Sequence, residues 1–239
     1  TVFKIFNMRI KVFIYKNGCY FCFSNILVSR PLIINQNGIA AMTERKGRID
    51  CHGETSPPVN YGFMEISKLE DMLDQEPRPI PNSKKGYKKD KNGKFMSNGL
   101  LLNSNGIESV ASLPEFVTEL FASPSNLSWI DLSHNCLTTI PDVLLSFPNL
   151  QILNLHSNRI EDLQQVEKLG QLRQLKKLSL HANPIEKQKG YFYFVLGLVP
   201  TLNTLDFSGI TKGERKSAET WKKMVFGTKK KRRSDDDDY

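Results

Sequence analysis

Between Leu127 and Asn183 the apolar and polar positions follow one pattern three times: LSWIDLSHNCL from Leu127, LQILNLHSNRI from Leu150 and LKKLSLHANPI from Leu175. Each reads L-x-x-L-x-L-x-x-N-x-[LI], with Ile130 at the second leucine of the first copy, and successive copies start 23 and 25 residues apart. Alternating residues such as Ile130 and Leu132 predict a short strand with one face inward, while Leu127 and Leu137 close the core above and below it. Asn135, Asn158 and Asn183 fall just after each strand, where the chain turns and would leave backbone groups unpaired inside the stack. An amide side chain has both donors and an acceptor, so a column of asparagines can satisfy them. No single copy can bury its own face, so neighbours must stack.

The period is that of leucine-rich repeats. The fold class expected is α/β: a leucine-rich-repeat solenoid with a curved parallel sheet on the concave side, helices or irregular turns on the convex side, and a C-terminal helical cap. A degenerate copy opens at Leu100, where LLLNSNGI places Leu100, Leu102, Asn105 and Ile107 in the pattern. Its connection, Pro114 to Phe121, predicts a convex helix. After the third copy, Glu186 to Val199 predicts a longer helix with Tyr191, Phe194, Val195 and Leu198 inward, and TLNTLDFSG a fifth strand through Leu202, Leu205 and Phe207. Open solenoid ends expose core and sheet edge, so a terminal unit must differ. Thr211 and Glu214 form a capping box that starts a final helix, with Ala218, Trp221 and Val225 against the last strand.

Upstream, residues 1–41 are apolar and aromatic but interrupted by Lys16, Asn17 and Arg30, giving neither a membrane span nor a clean leader. The first residue is Thr and Met42 follows this stretch, so 1–41 is read as a non-native or disordered extension. Residues 42–96 read as a flexible arm: a polar linker around Pro57-Pro58, a short amphipathic helix within Tyr61 to Gln75 (near 64–75) carrying Ile66, Leu69, Met72 and Leu73, and a basic linker with Lys84, Lys85, Lys88, Lys89, Lys91 and Lys94. The helix either covers the solenoid or serves as a docking arm. The repeat domain with its cap spans 97–226, and 227–239 is a charged, disordered tail in which KKKRR precedes DDDD.

The ending NPI…YFYFV…P-x-L-x-x-LD is similar to that of the short intracellular leucine-rich-repeat proteins, which include axonemal dynein light chain, the spliceosomal U2 A-prime protein and a protein phosphatase regulator. LDFSGITKGERKSAETWKKM, NLSWIDLSHN, PPVNYGF and EPRP resemble one branch of that group, over about residues 56–226. The resemblance implies a non-catalytic structural or adaptor protein of a ciliary or flagellar axonemal assembly, in the cytoplasm or the axoneme. Its alternative is a ribonucleoprotein or phosphatase-regulator type of subunit that clasps a partner helix.

Residues between the core leucines point to the concave face, the usual binding surface of solenoids. One column across the strands is Gly99, Trp129, Ile152, Lys177 and Thr204; the next is Leu101, Asp131, Asn154, Ser179 and Asp206; the third is Asn103, Ser133, His156, His181 and Ser208. The candidate partner contacts are Leu101, Trp129, Asp131, Ile152, Asn154, His156, Lys177, Ser179, His181 and Asp206, with Trp129, Ile152 and Leu101 as an exposed apolar patch. Asn105, Asn135, Asn158, Asn183 and Trp221 are structural. His156 and His181 are read as solvated neighbours, since no Cys, Asp or Glu in their column completes a metal ligand set.

Neither a nucleophile–base constellation nor a phosphate-binding glycine loop is legible, so no enzyme, metal, cofactor or small-molecule substrate is expected. Cys19 and Cys22 form a lone C-x-x-C with no second pair, and there are no cysteine-rich caps, which points to a reducing compartment. Net charge is +8 with a pI near 9.2. Residues 97–226, however, balance twelve Lys and Arg against twelve Asp and Glu. The positive excess lies in the flanks and not on the repeats, which argues against a nucleic-acid reader. The partner expected is a protein, axonemal or microtubule-associated.

Overall fold

The computed structural model describes residues 11–15, 18–22, 56–80 and 86–235. The chain divides into two units, Thr1–Asp50 and Cys51–Tyr239. In the first, β1 (Lys11–Tyr15) pairs antiparallel with β2 (Gly18–Cys22), a hairpin within the stretch read as an extension. Cys19 and Cys22 both fall in β2, and Cys51 lies outside the described residues.

The second unit is built on one seven-stranded sheet in chain order: β3 (Val59–Asn60), β4 (Gly99–Leu101), β5 (Trp129–Asp131), β6 (Ile152–Asn154), β7 (Lys177–Ser179), β8 (Thr204–Leu205) and β9 (Ser208–Gly209). Neighbours are parallel up to β8, and β9 turns back antiparallel. The middle residue of each three-residue strand is buried, as Ile130, Leu153 and Leu178 are, because the period of two sends alternate side chains to opposite faces.

What ends each strand is a left-handed residue just before the asparagine: Ser104 (φ 56°), His134 (54°), Ser157 (56°) and Ala182 (56°). That conformation costs a non-glycine residue about 1–2 kcal/mol. The asparagine that follows it offsets this. Asn158 Nδ2 donates to Leu132 O and Leu155 O, both at 2.9 Å, while its Oδ1 accepts from Leu137 N at 3.0 Å. Asn183 repeats the arrangement on Leu155 O (2.9 Å), Leu180 O (2.8 Å) and Ile160 N (3.0 Å). Asn135 does so on Leu102 O, Leu132 O and Ile107 N, and Asn105 on Tyr61 O, Leu102 O and Met64 N. All four are buried.

The arm read as flexible is a further repeat without its asparagine. β3 pairs Val59 with Leu100, so Phe63 (φ 60°) aligns with Ser104 and Met64 takes the asparagine position. Val59, Tyr61, Ile66, Leu69 and Met72 are buried. The expected helix shrinks to α1 (Glu70–Leu73), with Leu73 exposed. Arg78 N bonds Asn60 O at 2.7 Å and its guanidinium bonds Gly62 O at 3.2 Å, covering the edge of β3. The basic linker is likewise anchored. Phe95 is buried, bridges to Phe121, and receives the Tyr87 ring at 5.5 Å and the Lys89 ammonium at 4.7 Å. Lys84 and Lys85 lie outside the described residues.

Helices cover the other face of the sheet. α2 (Leu113–Leu120) falls where Pro114–Phe121 predicts a helix, and α3 (Val166–Leu169) is one turn. The long helix expected over 186–199 is a 3₁₀ turn (Pro184–Lys187) followed by α4 (Tyr191–Leu198), with Gly190 (φ 82°) between them. A side chain at Gly190 would lie 3.5 Å from the Trp221 ring as well as demanding that φ. The final helix α5 (Lys212–Asp235) begins with the expected capping box: Glu214 N to Thr211 Oγ1 at 3.2 Å, Thr211 N to Glu214 Oε2 at 2.8 Å. It packs on α4 and not on the last strand. Ala218 is buried, Trp221 meets Phe194 at 5.8 Å, and Lys222 Nζ bonds Gly197 O at 2.8 Å. The helix continues through the part of the tail read as disordered, as far as Asp235. Among the described residues no helix is long and apolar enough to cross a membrane.

Asn158→Ala leaves the buried Leu137 N–H unpaired and takes one of two amide donors from each of Leu132 O and Leu155 O, which keep Asn135 Nδ2 and Asn183 Nδ2 respectively. We expect it to lower stability by about 1–3 kcal/mol in urea titrations, with an unchanged m-value; equal midpoints would remove the ladder from the list of stabilising features.

Candidate interaction surface

On the sheet face away from the helices, register brings Trp129 beside Ile152, Ile152 beside Lys177 and Lys177 beside Thr204. Asp131, Asn154 and Ser179 form the adjacent row. The rows expected from the sequence therefore hold through β7. They fail at the last strand. Asp206 (φ 48°) and Phe207 (φ 61°) form a two-residue turn between β8 and β9, so the chain reverses. Ser208 leaves the third row, and Phe207, read as core, is 61% exposed.

Trp129, Ile152 and Leu101 are half-buried, not fully exposed. The arm does not fold over them; it extends the sheet edge, and Pro58 approaches Trp129 across Gly99. A Cβ on Gly99 would sit 2.8 Å from Pro58 Cβ and 3.4 Å from Trp129 Cε3, so only glycine admits this approach. The indole Nε1 of Trp129 is buried and has no acceptor among the described residues. What Trp129 offers outward is ring carbon. Lys177 beside Ile152 is exposed.

The middle row is committed internally. Asp131 Oδ1 accepts from Ser133 Oγ (2.6 Å) and Ser133 N (3.0 Å), and its Oδ2 accepts from Asn154 Nδ2 (2.8 Å). Asn154 Oδ1 accepts from Ser179 Oγ at 3.2 Å, so the Ser179 oxygen is left to accept from His156 Nδ1 at 2.8 Å. This directed chain assigns the His156 proton to Nδ1. Ser179 and His156 are buried, at 1% and 5% exposure, which corrects the reading of His156 as solvated.

Asp206 is a cap and not a free contact. Its Oδ1 accepts from Leu180 N (2.7 Å), a donor that a full fifth strand would have taken, and from His181 N (2.9 Å), and its Oδ2 accepts from Tyr191 Oη at 2.8 Å. Burial pushes its carboxyl up, but hydrogen bonds from His181, Leu180 and Tyr191 outweigh that and hold it below the usual range. Burial and the Asp206 charge in turn push the Tyr191 phenol up.

At the far margin of the face the His156 and His181 rings stack, 4.6 Å apart and inclined 10°. His134 meets His156 edge-on at 5.1 Å. His181 Nδ1 stands 3.6 Å from Asp206 Oδ1, an ion pair when protonated. Burial first, then His181 and His134, hold His156 neutral, its pKa lowered from 6.5 to about 3. Burial also lowers His134, against the pull of Asp131.

Two chemistries suggest themselves here, and the geometry supports neither. A serine within 2.8 Å of a histidine has the spacing of an activated nucleophile, yet the Ser179 hydroxyl points its proton at Asn154, is inaccessible, and faces an imidazole too weakly basic to take it. Stacked histidines turn their faces, not their lone pairs, to one another, and among the described residues no group of three His, Cys, Asp or Glu is placed to hold a metal. The sequence missed Phe207 as a surface residue. Its only signal was the Asp-Phe pair before Ser-Gly, which reads equally well as strand.

Short strands, an asparagine ladder and helices on one face define a leucine-rich-repeat protein, and a family model described as Leucine-rich repeat matches residues 118–234. The chain is 43% identical over 176 residues to Leucine-rich repeat-containing protein 51 of Rattus norvegicus, covering 74% of this chain and 90% of that protein. It is 30% identical over 135 residues to the Probable U2 small nuclear ribonucleoprotein A' of Caenorhabditis elegans, covering 56% and 49%. Among solved structures, a chain of the Drosophila melanogaster SNF/U2A' complex aligns with a TM-score of 0.43 at 19% identity, over 63% of this chain and 94% of that one. The chain belongs to the family of leucine-rich repeat-containing protein 51.

The His156 environment gives stability a pH dependence with a definite sign. The unfolded chain takes up the His156 proton as pH falls below 6.5, and the folded chain only near 3. The contribution is therefore complete above 6.5 and is lost on the way down to 3. Between pH 6 and 4.5 we expect His156→Gln to flatten the plot of unfolding free energy against pH by about 1.4 kcal/mol per pH unit, one proton's worth. Parallel plots would contradict a neutral, buried His156.

Proposed function

We propose that this protein is a non-catalytic protein-interaction module that binds a protein partner through the sheet face bearing Trp129 and Ile152. One observation carries the proposal: these two adjacent apolar side chains stay half-exposed on a face whose polar centre is already hydrogen-bonded within the chain. No segment among the described residues covers them. Buried aromatic anchors beside an inert polar row are the usual anatomy of a binding hot spot.

The setting we favour is a ciliary or flagellar axonemal assembly, with an axonemal or microtubule-associated protein as partner. The support for it is the resemblance of the repeats and their ending to the short leucine-rich-repeat proteins of which axonemal dynein light chain is one. A second reading is favoured by the likeness to the U2 A-prime protein of Caenorhabditis elegans. In that reading the same face clasps a helix of a ribonucleoprotein partner. The near-neutral charge of residues 97–226 favours a protein over a nucleic acid as the direct ligand in either case.

Trp129→Ala with Ile152→Ala should leave circular dichroism and melting close to wild type and reduce recovery of the natural partner at least tenfold; equal recovery would move the binding surface elsewhere. In fractionated ciliated or sperm cells we expect the protein in detergent-extracted, salt-washed axonemes. Recovery from nuclei instead would sink the axonemal setting in favour of the ribonucleoprotein reading.

A further inference from the structure

The far margin of the sheet face has a character of its own. Phe207 is 61% exposed and holds φ 61° at the second position of a two-residue turn, where glycine is the ordinary occupant. A bulky side chain there is strained and persists only where its surroundings impose it. Two features impose it here. Asp206, the other turn residue, is fastened to Leu180 N, His181 N and Tyr191 Oη. The Phe207 ring itself lies 5.4 Å from His156 and 5.3 Å from His181, inclined 74° and 66° to them, so that it sits astride the stacked pair with most of its surface outward.

The electrostatics of this margin are one-sided. His156 and His134 are held neutral by burial. Two carboxylates, Asp131 and Asp206, flank the imidazoles: Asp131 faces His134, and Asp206 faces His181 and His156. Ser179, Asn154 and Ser133 are neutral members of the same network. The lysine of this face, Lys177, stands four residues back along its strand, about 13 Å away.

The buried imidazole of His156, an outward aromatic and two nearby carboxylates complement a cation. Among side-chain cations, the planar guanidinium stacks on aromatic and imidazole faces and is less strongly hydrated than an ammonium. The two carboxylates are hydrogen-bonded within the chain but keep their negative charge, from which an apolar side chain would gain nothing. We infer that Phe207 and the His156–His181 stack form a docking site for an arginine side chain of the protein partner, distinct from the Trp129–Ile152 patch. This rests on the proposed use of the sheet face for partner binding, and adds the chemistry of a second anchor.

The test needs no partner. The full chain is titrated at pH 7.5 with N-acetyl-arginine amide while the ring resonances of Phe207, His156 and His181 are followed by NMR, with N-acetyl-citrulline amide as the neutral isostere and N-acetyl-lysine amide as the compact cation. We expect saturable millimolar shifts at these rings with the arginine compound, at least about fivefold weaker with the other two. Phe207→Leu should abolish them while leaving amide spectra elsewhere unchanged, and Phe207→Tyr should retain them. In the Trp129→Ala, Ile152→Ala double variant they should persist. Absent shifts, equal shifts with citrulline or lysine, or shifts surviving Phe207→Leu would each overturn the inference. Any of these would leave partner capture through Trp129 and Ile152 as a separate result.

Discussion

The side-chain amide of one asparagine per repeat is the interaction on which the rest of this structure depends. Strands of three residues make too few hydrogen bonds to define a sheet, and each ends at a left-handed residue that costs free energy. Asn135, Asn158 and Asn183 each donate to carbonyls of two successive strand ends and accept from the backbone of the preceding repeat. One buried group thus spaces neighbouring repeats and closes the turn within its own. Leucine packing then fills an interior whose spacing is already determined.

A ladder of this kind has two open ends, and the ends are solved differently. At the first, the repeat from Val59 has methionine where an asparagine would stand, and Asn105 reaches back to serve it through Met64 N and Tyr61 O. Beyond it Arg78 covers the edge. At the last, the chain reverses after two residues of β8, and a carboxylate replaces the missing strand. Asp206 takes the Leu180 and His181 donors and is itself fastened by Tyr191. Stability and surface chemistry are coupled there, since the turn that terminates the sheet also lifts Phe207 out over the histidines.

Between these ends, the face is divided by hydrogen bonding. Its middle row, from Ser133 through Asp131, Asn154 and Ser179 to His156, spends its polar capacity internally and is rigid for that reason. The margins carry no such network: ring carbon and aliphatic surface stand at Trp129 and Ile152, a strained aromatic at Phe207. A preorganised floor with separate anchors loses little side-chain entropy on binding.

The repeat pattern by itself determined the parallel sheet, the buried asparagines, the rows of facing residues through β7 and the capping box at Thr211 and Glu214, because each follows from periodicity or from the hydrogen-bonding inventory of one side chain. Tertiary structure alone decided the rest. The repeat at Val59 escaped notice because two strand residues carry no period, and Pro57-Pro58 reads as a linker until Gly99 is seen beneath it. The docking of α5 on α4, and not on the last strand, rests on contacts between the two helices, Trp221 with Phe194 and Lys222 Nζ with Gly197 O, that no pattern within α5 announces. Whether Asp131, Asn154, Ser179 and His156 face a partner or one another depends on interstrand distance, and a difference of a few tenths of an ångström separates a hydrogen bond from a free group. The same holds for Asp206 and Phe207: the Asp206 carboxylate is held by the Leu180 and His181 N–H groups, which lie 26 and 25 residues away in the chain.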